Sequence, residues 1–500
     1  MAAVRGQHGL MTSVADDLPA PNQRRWLNEP RRPHRIRERP NAYWLALAAV
    51  CVGAFMGQLD ASIVTVALPT LQRAFDASIG AVAWVGLSYL IVLVATVTAV
   101  GRFADMFGRK LLYLYGFIVF IVGSALCGVA PDLPALIGFR AVQAVGAAML
   151  QANSVAIIVL SVPAARLGRA IGIQGAAQAV GLALGPTVGG LLLAAGTWRL
   201  IFLVNIPFGL LGAVAGWIFI PRSRGLAARV RFDWVGLALF FPAVVALMLA
   251  VSFGNTVGWL SPLILGLGAA TVILTAAFVL RERAARSPML DLTLFNRPSF
   301  TIGITSGLLS YLVLFGVLFA VPFFLERGRA QPPAQAGLEL MIMPVALGVV
   351  APFAGKLADR LGARPLTVSG MVLAALSLTA LGVGATGTIA FLAALAGVGA
   401  GLGLFTPPNN AAIMGCVPRQ QAGVASGVLN MTRGMGTAMG LAFTSLVFGL
   451  AGGDSLVPAA AHHAFTVSAY FLAAVALAAG ALAALRRSGP METNPAITTE

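Results

Sequence analysis

Residues 101–110 read Gly-Arg-Phe-Ala-Asp-Met-Phe-Gly-Arg-Lys, and the position of this decapeptide indicates how the rest of the chain is arranged. Residues 355–364 repeat it in altered form as Gly-Lys-Leu-Ala-Asp-Arg-Leu-Gly-Ala-Arg, keeping both glycines, the Ala-Asp pair and the basic second and tenth positions. Each copy lies between two long apolar runs and is predicted to be a short charged loop. This repetition predicts a membrane protein made of two related halves.

The composition excludes a soluble globular protein. Of 500 residues, 58% are hydrophobic and 10% charged, against about 45–50% and about 25% in soluble domains. The 57 glycines suit helices that approach closely in lipid. The three cysteines fall in or beside different apolar segments, so neither a disulfide framework nor a metal site is expected.

A membrane helix needs about twenty apolar residues, and the chain offers fourteen such runs. They lie near residues 43–67, 80–100, 111–130, 134–155, 169–194, 200–220, 234–254, 261–280, 300–324, 336–354, 366–386, 388–410, 421–450 and 465–485. The predicted fold class is therefore all-α, a polytopic membrane protein with 14 transmembrane helices.

The ends of the chain are polar. Residues 1–41 are rich in arginine and proline and have no apolar core that could serve as a signal peptide, so they are predicted to be a disordered basic cytoplasmic tail. Beside a membrane helix, this charge is interpreted as an orientation signal or an attraction to the anionic lipid bilayer; nucleic-acid binding is the alternative, and no nucleic-acid partner is predicted. Residues 488–500 form a second cytoplasmic tail. With both termini inside, most of the 33 Lys and Arg residues lie on the cytoplasmic side.

The repeat also divides the membrane region. The decapeptide follows helix 2 and its echo follows helix 10, so helices 1–6 correspond to helices 9–14. Residues 42–221 are predicted to form an N-terminal six-helix bundle, residues 222–298 two inserted helices with flanking loops, and residues 299–487 a C-terminal six-helix bundle.

The decapeptide resembles the signature between the second and third helices of major facilitator superfamily transporters. The twelve-plus-two arrangement resembles the fourteen-helix drug:proton antiporters of the EmrB/QacA type. Residues 59–69, 197–207 and 232–236 are similar to local signatures of that group, with Thr65 where asparagine is usual. The resemblance implies the major facilitator fold and alternating access at the cytoplasmic membrane.

Asp60 is the one acidic residue well inside an apolar run. A carboxylate at the bilayer centre costs roughly 2.5–3.5 kcal/mol, so it usually has a partner or lines a water-filled path. At about 1.5 Å per residue, Asp60 lies about 24 Å along its helix from Trp44, and Arg140 about 9 Å from Pro134 in a helix that runs the opposite way. The two side chains are therefore expected at one depth.

Burial favours a neutral carboxyl and a nearby cation favours the ionised form, so Asp60 is predicted to gain and lose a proton beside Arg140. The alternative is a fixed structural ion pair between helices 1 and 4. Residues 140–146, which include Gln143 on the face of Arg140, resemble a superfamily motif associated with proton transfer, with Ala144 in place of a glycine.

The fifth predicted helix carries a stripe of glycines four residues apart. Gly181, Gly185 and Gly189 make one flat face, and Pro186 removes a backbone donor. The stretch resembles the helix-5 motif associated with export. Ordinary glycine-mediated packing is the alternative.

The two decapeptides are predicted to act in gating. Asp105 can pair with Arg109 one helical turn later or meet a helix amino terminus of the other half. The family's loop is a conformational latch, which implies that role for six residues: Gly101, Asp105, Gly108, Arg109, Gly355 and Asp359. Orientation of the chain by positive charge is the alternative.

By resemblance, the substrate cavity is formed by helices 1 and 4 with their counterparts 9 and 12. Its candidate lining residues are Met56, Gln143, Asn153, Tyr311, Phe315, Asn409 and Arg433. Such a mixture suits a lipophilic, partly polar molecule. Arg433, the ionisable residue deep in the second half, either supports a gate or extends its charge toward the membrane surface.

These features predict a proton-coupled exporter of lipophilic drugs or related small organic compounds. Its partners are the substrate, protons and the bilayer, with a periplasmic adaptor if the host has an outer membrane. A facilitator or symporter for a small organic metabolite is the nearest alternative, followed by a non-transporting scaffold or a membrane-embedded enzyme. No cofactor is expected, because the chain lacks a phosphate-binding Gly-x-x-x-x-Gly-Lys-Ser/Thr loop and one charge crossing 100 mV yields about 2.3 kcal/mol.

Overall fold

The computed structural model describes residues 29, 32–37, 39, 41–77, 79–223, 232–285, 288–331, 333–383, 387–452 and 458–486. Within these ranges, fourteen long helices were found: α1 (Ala42–Phe75), α2 (Ile79–Phe107), α3 (Arg109–Gly128), α4 (Leu133–Ser161), α5 (Leu167–Ala194), α6 (Leu200–Leu203 and Asn205–Phe219), α7 (Trp234–Val257), α8 (Pro262–Ala284), α9 (Pro298–Phe323), α10 (Ile342–Leu361), α11 (Ala363–Val383), α12 (Thr388–Gly415), α13 (Ala422–Leu450) and α14 (Pro458–Ala484). Shorter helical segments lie at His34–Arg37, Ala164–Arg166, Leu292–Asn296, Phe324–Gly328, Pro333–Leu340 and Arg419–Gln421. The described part of the chain contains no strand, which confirms the predicted all-α fold. Residues 1–28 and the predicted tail at 488–500 lie outside the described residues.

Thirteen helices in the described ranges are long and apolar enough to cross a membrane. The remaining predicted span, 421–450, is the 29-residue helix α13, which is less apolar because it carries Asn430, Thr432 and Arg433. Asn430 and Thr432 are buried against neighbouring helices and hydrogen bond to backbone carbonyls. This helix therefore meets protein where a lipid-facing helix would need apolar side chains.

The helix pairings of the first half recur in the second. Helix α1 packs against α5, α2 against α4, and α3 against α4 and α6; likewise α9 packs against α13, α10 against α12, and α11 against α12 and α14. The two halves meet through α2 with α13 and through α5 with α10. Helices α7 and α8 fall outside this repeat, with α7 packed against α8, α2 and α13.

The prediction that each decapeptide forms a loop is wrong. Helix α2 continues to Phe107 and α3 begins at Arg109, so Gly108 alone joins them. In the repeat, Gly362 alone joins α10 to α11. Both glycines have positive φ, 115° and 81°, a backbone conformation that side chains disfavour and that reverses the chain within one residue. The charged residues therefore project from helix ends.

Candidate functional site

The Asp60 carboxylate is the centre of a buried polar cluster between α1, α3, α4 and α6. Its Oδ2 accepts a hydrogen bond from Arg140 Nη1 at 2.8 Å, and its Oδ1 accepts from Gln143 Nε2 at 3.0 Å and from Asn205 Nδ2 at 2.7 Å. Asp60 is 0% exposed. An ionised carboxylate only accepts hydrogen bonds, so this arrangement suits the charged form.

Arg140 is held on every side. Besides Asp60, its guanidinium donates to the carbonyl of Val85 at 3.1 Å and to Gln143 Oε1 at 2.6 Å. It also lies over the ring of Tyr89, 4.1 Å from the ring centroid. Pairing, hydrogen bonds and a cation–π contact together offset the desolvation of a cation that is 1% exposed.

Three members of this environment were absent from the sequence-based set of site residues. Asn205 and Ser124 complete the cluster: Ser124 Oγ accepts from Gln143 at 3.1 Å and from Asn205 at 3.0 Å, and donates to the carbonyl of Phe202. Tyr89 supplies the ring under Arg140. The available signal was Asn205 itself, because an amide inside an apolar run needs a partner just as a carboxylate does.

The glycine stripe of α5 packs against α1 beside this cluster. A Cβ atom on Gly181 would lie 2.5 Å from the carbonyl oxygen of Phe55, one on Gly185 would collide with the hydroxyl of Ser62, and one on Gly189 would lie 2.9 Å from the side chain of Ile63. The stripe thus fixes close contact between two helices, as the packing alternative expects. These packing contacts do not test the export role of the motif, which stays a prediction.

A cavity of about 440 Å³ lies between the two halves. Arg140 and Tyr89 form part of its wall, whereas Asp60 lies behind them. At one end the wall includes Gln174 and Asn430, and at the other Leu68 and Ala83. Such a volume, mostly apolar with a few convergent polar groups, is typical of sites for small organic molecules.

The predicted lining residues divide into two groups. Tyr311, Phe315 and Arg433 line this cavity. The other four lie elsewhere: Gln143 within the Asp60 cluster, Met56 buried beneath α6, Asn153 on the carbonyl of Met149, and Asn409 on the carbonyl of Gly303 and on Arg486. These four were predicted because they lie on helices that the resemblance assigns to the cavity, and the rotation of those helices turns them away from the interface between the halves.

Asp105 connects the two halves at one end of the bundle. Its carboxylate accepts hydrogen bonds from the backbone N–H groups of Gly423 at 2.8 Å and Val424 at 2.9 Å, at the start of α13. Arg109 donates to the same carboxylate at 2.5 and 2.9 Å. A buried acidic side chain on a helix amino terminus satisfies free N–H groups and interacts favourably with the helix dipole. We call this arrangement the Asp105 latch.

Asp359 makes the equivalent contact in the repeat. Its carboxylate accepts from the backbone N–H groups of Gly168 at 2.8 Å and Arg169 at 3.1 Å, at the start of α5. We call this the Asp359 latch. Each half therefore contributes one carboxylate and receives one at its own helix amino terminus, so the two latches are related by the internal repeat.

Glycines allow the backbones to meet at both latches. A Cβ atom on Gly101 would collide with the carbonyl oxygen of Gly423, and one on Gly355 with that of Gly168. Gln174 and Asn430 follow Gly168 and Gly423 by about two helical turns, or roughly 9–11 Å. The cavity is therefore closed at the end of the bundle that carries the latches.

Comparison with known proteins agrees with this architecture. The sequence profile of the Major Facilitator Superfamily matches residues 50–280 and 303–499. The chain belongs to the major facilitator superfamily.

Several relatives of this major facilitator protein are named for transport or drug resistance. It is 35% identical over 408 residues to the riboflavin transporter RibZ of Clostridioides difficile, covering 81% of this chain and 88% of the relative. It is 36% identical over 400 residues to the multidrug resistance protein Stp of Mycobacterium tuberculosis, covering 80% and 74%. It is 31% identical over 404 residues to the methylenomycin A resistance protein of Streptomyces coelicolor, covering 80% and 85%.

Solved structures share the fold at low identity. The human organic anion transporter MFSD10 superposes with a TM-score of 0.66 at 13% identity, covering 89% of this chain and all of that one. The proton:xylose symporter XylE superposes with a TM-score of 0.63 at 15% identity, covering 88% and 95%. These two likenesses show the fold alone. The superfamily match, the relatives named for transport and resistance, and the long apolar helices together identify the chain as a multi-pass membrane transporter and not an enzyme.

Proposed function

We propose that this protein is a proton-coupled exporter of small lipophilic organic compounds that works by alternating access. The observation that carries the proposal is the buried Asp60–Arg140 pair, in which Arg140 lines the central cavity and Asp60 lies behind it. Arg140 belongs both to that wall and to the ion pair. A compound or proton that displaces Arg140 therefore changes the electrostatic environment of Asp60.

In the proposed cycle, the carboxylate of Asp60 is ionised while Arg140 donates to it. Protonation removes the negative charge, weakens the pair and frees Arg140 within the cavity. Opening of both latches then exposes the cavity at the latch end of the bundle. Inward movement of one proton through 100 mV yields about 2.3 kcal/mol, enough for roughly a fiftyfold gradient of a neutral compound.

We further propose that the latch end of the bundle is cytoplasmic and that the protein resides in the cell membrane with both termini inside. The concentration of arginine in the N-terminal tail and in the segments beside the latches supports this orientation. The structure then corresponds to a state closed toward the cytoplasm. In a host with an outer membrane, a periplasmic adaptor would be a further partner.

The names of the resistance proteins among the relatives support export of drug-like compounds. The relative named as a riboflavin transporter supports a second candidate, transport of a small organic metabolite. Direction distinguishes the two. An exporter lowers the cellular content of its substrate, whereas an importer or symporter raises it.

The test is a substrate screen in a pump-deficient host, with and without a protonophore, followed by flux measurements in proteoliposomes. Export predicts resistance that a protonophore abolishes, and uphill flux when a pH gradient is imposed. Uptake that raises cellular content of the selected compound would contradict export. Uphill flux that is insensitive to the pH gradient would contradict proton coupling.

A further inference from the structure

The charge balance of the central cavity differs from that of the cluster behind it. In the cluster, the carboxylate of Asp60 neutralises the charge of Arg140. The described side chains that line the cavity include no Asp or Glu. Among the described lining residues, Arg433 is the other cationic side chain. The cavity wall therefore has a net positive charge, located at Arg433.

Arg433 has polar neighbours but, in the described parts of the chain, no counter-charge. Its Nη1 donates to Asn430 Oδ1 at 3.2 Å and to Gln178 Oε1 at 3.4 Å, and its Nε is buried with no hydrogen-bond partner. Within the described residues, no carboxylate pairs with it. The guanidinium also lies 5.4 Å from the ring centroid of Tyr311, whose side chain forms part of the same wall.

We infer that the cavity selects aromatic organic anions, with the acidic group bound by Arg433 and the ring system placed against Tyr311. This inference rests on the proposed function only in taking this cavity as the substrate site. A carboxylate or phenolate of the substrate would supply the counter-charge that the described residues do not, through charge-assisted hydrogen bonds. A lipophilic cation would be desolvated beside an unpaired guanidinium, which is unfavourable.

The amides around Arg433 strengthen this preference. Gln178 comes from α5 of one half and Asn430 from α13 of the other, so the cation is held at the interface between the halves. The side-chain oxygen of each amide accepts a hydrogen bond from Arg433, and neither amide carries a charge. The site therefore orients the guanidinium without cancelling its charge.

Two xanthene dyes of opposite charge test the inference: fluorescein, which carries a carboxylate and a phenolate, and tetramethylrhodamine ethyl ester, a lipophilic cation. Binding of each dye to the purified full-length protein is measured by fluorescence anisotropy, with empty micelles as the blank. We expect tighter binding of fluorescein. Substitution R433Q should weaken fluorescein binding by about tenfold or more and leave or improve binding of the cation.

Three further variants separate charge from structure. R433K should retain part of the preference for fluorescein. Gln178→Glu, which pairs the guanidinium inside the protein, should abolish the preference while Arg433 remains, and it provides the test if R433Q does not fold. Arg283→Gln, at an exposed position at the end of α8, should leave both affinities unchanged. Equal affinity for the two dyes in the parental protein, or an unchanged affinity ratio in both R433Q and Gln178→Glu, would overturn the inference.

These binding measurements need no ion gradient, so the anion site and the proposed transport function are tested separately. Binding that depends on Arg433 without pH-driven flux would count against proton coupling and leave the anion site in place. Coupled export with no charge preference would retain the function and remove the anion site.

Discussion

Arg140 donates a hydrogen bond to Asp60 across 2.8 Å, joining α4 to α1, and the two side chains are 1% and 0% exposed. A buried pair of this kind is weak evidence for stability, because the desolvation of both ions opposes their attraction. Because Arg140 also lines the cavity, the pair has a functional interpretation as well. That interpretation is separable from a structural one by substitution.

Asp60→Asn is expected to abolish uphill efflux driven by a pH gradient while downhill exchange persists, because the amide cannot carry the proton. If the pair is structural, the same substitution instead leaves Arg140 unpaired, at a cost of about 3–5 kcal/mol. Neutralising both residues would then restore folding and flux. pH-driven flux by the folded double variant in proteoliposomes is decisive, since near-parental rates would remove Asp60 from the coupling mechanism.

Asn205→Ala removes one of the three donors to the Asp60 carboxylate. A lost hydrogen bond to a charged group costs about 1.5–3 kcal/mol, so thermal stability should fall and the pH dependence of flux should shift. Asn153→Ala is the matched control, because Asn153 is also a buried asparagine of the same half but hydrogen bonds to its own helix. An equal loss of stability in both variants, with no change in the pH profile, would assign Asn205 a packing role only.

Asp105→Asn and Asp359→Asn together are expected to open the bundle at the latch end. Each substitution weakens charge-assisted bonds worth about 1.5–3 kcal/mol, or roughly ten- to a hundredfold in the ratio of closed to open molecules. A Gln174→Cys reporter in a chain without its native cysteines lies on the cavity wall behind the latches. Its labelling by an impermeant maleimide from the latch side should increase in either single variant and most in the double variant. Unchanged labelling in the double variant would mean that the latches orient the chain without gating it.

Gly101→Leu is expected to prevent closure at the Asp105 latch, because any Cβ atom there collides with the backbone of Gly423. Flux should fall while the protein still inserts. Gly138→Leu is the control, since a Cβ atom on that exposed glycine of α4 meets nothing within 4 Å. Comparable flux in the two variants would show that close approach at Gly101 is dispensable.

Reporter fusions after residues 40, 231 and 487 should all report the cytoplasm, because an even number of spans returns the chain to its starting side. Parallel fusions in the loop between α5 and α6 should report the outside. A cytoplasmic signal from that loop, or an external signal after residue 487, would contradict the proposed topology.

Much of the site could be predicted from the sequence, because it depends on charged residues inside apolar segments. A carboxylate and a guanidinium at similar depth in neighbouring predicted helices have few other ways to be satisfied, which is why Asp60 and Arg140 could be paired in advance. Asn205 and Ser124 were missed because neutral polar residues are common in membrane helices and their partners depend on rotation about the helix axis. Met56, Asn153 and Asn409 were wrongly predicted to line the cavity because the resemblance names the helices that form it, but not which face of each helix turns toward it.

The class of this protein, the positions of its apolar helices and its division into related halves could all be predicted from the amino-acid sequence. Apolar length, sparse charge and a repeated decapeptide are local or additive properties, so they need no coordinates. The tertiary structure was needed to show that Asp105 and Asp359 reach across to α13 and α5, and that Arg433 lines the cavity with no carboxylate partner among the described residues. Those relationships join residues more than 190 positions apart, or depend on which face of a helix turns inward, and both follow from how the two bundles pack.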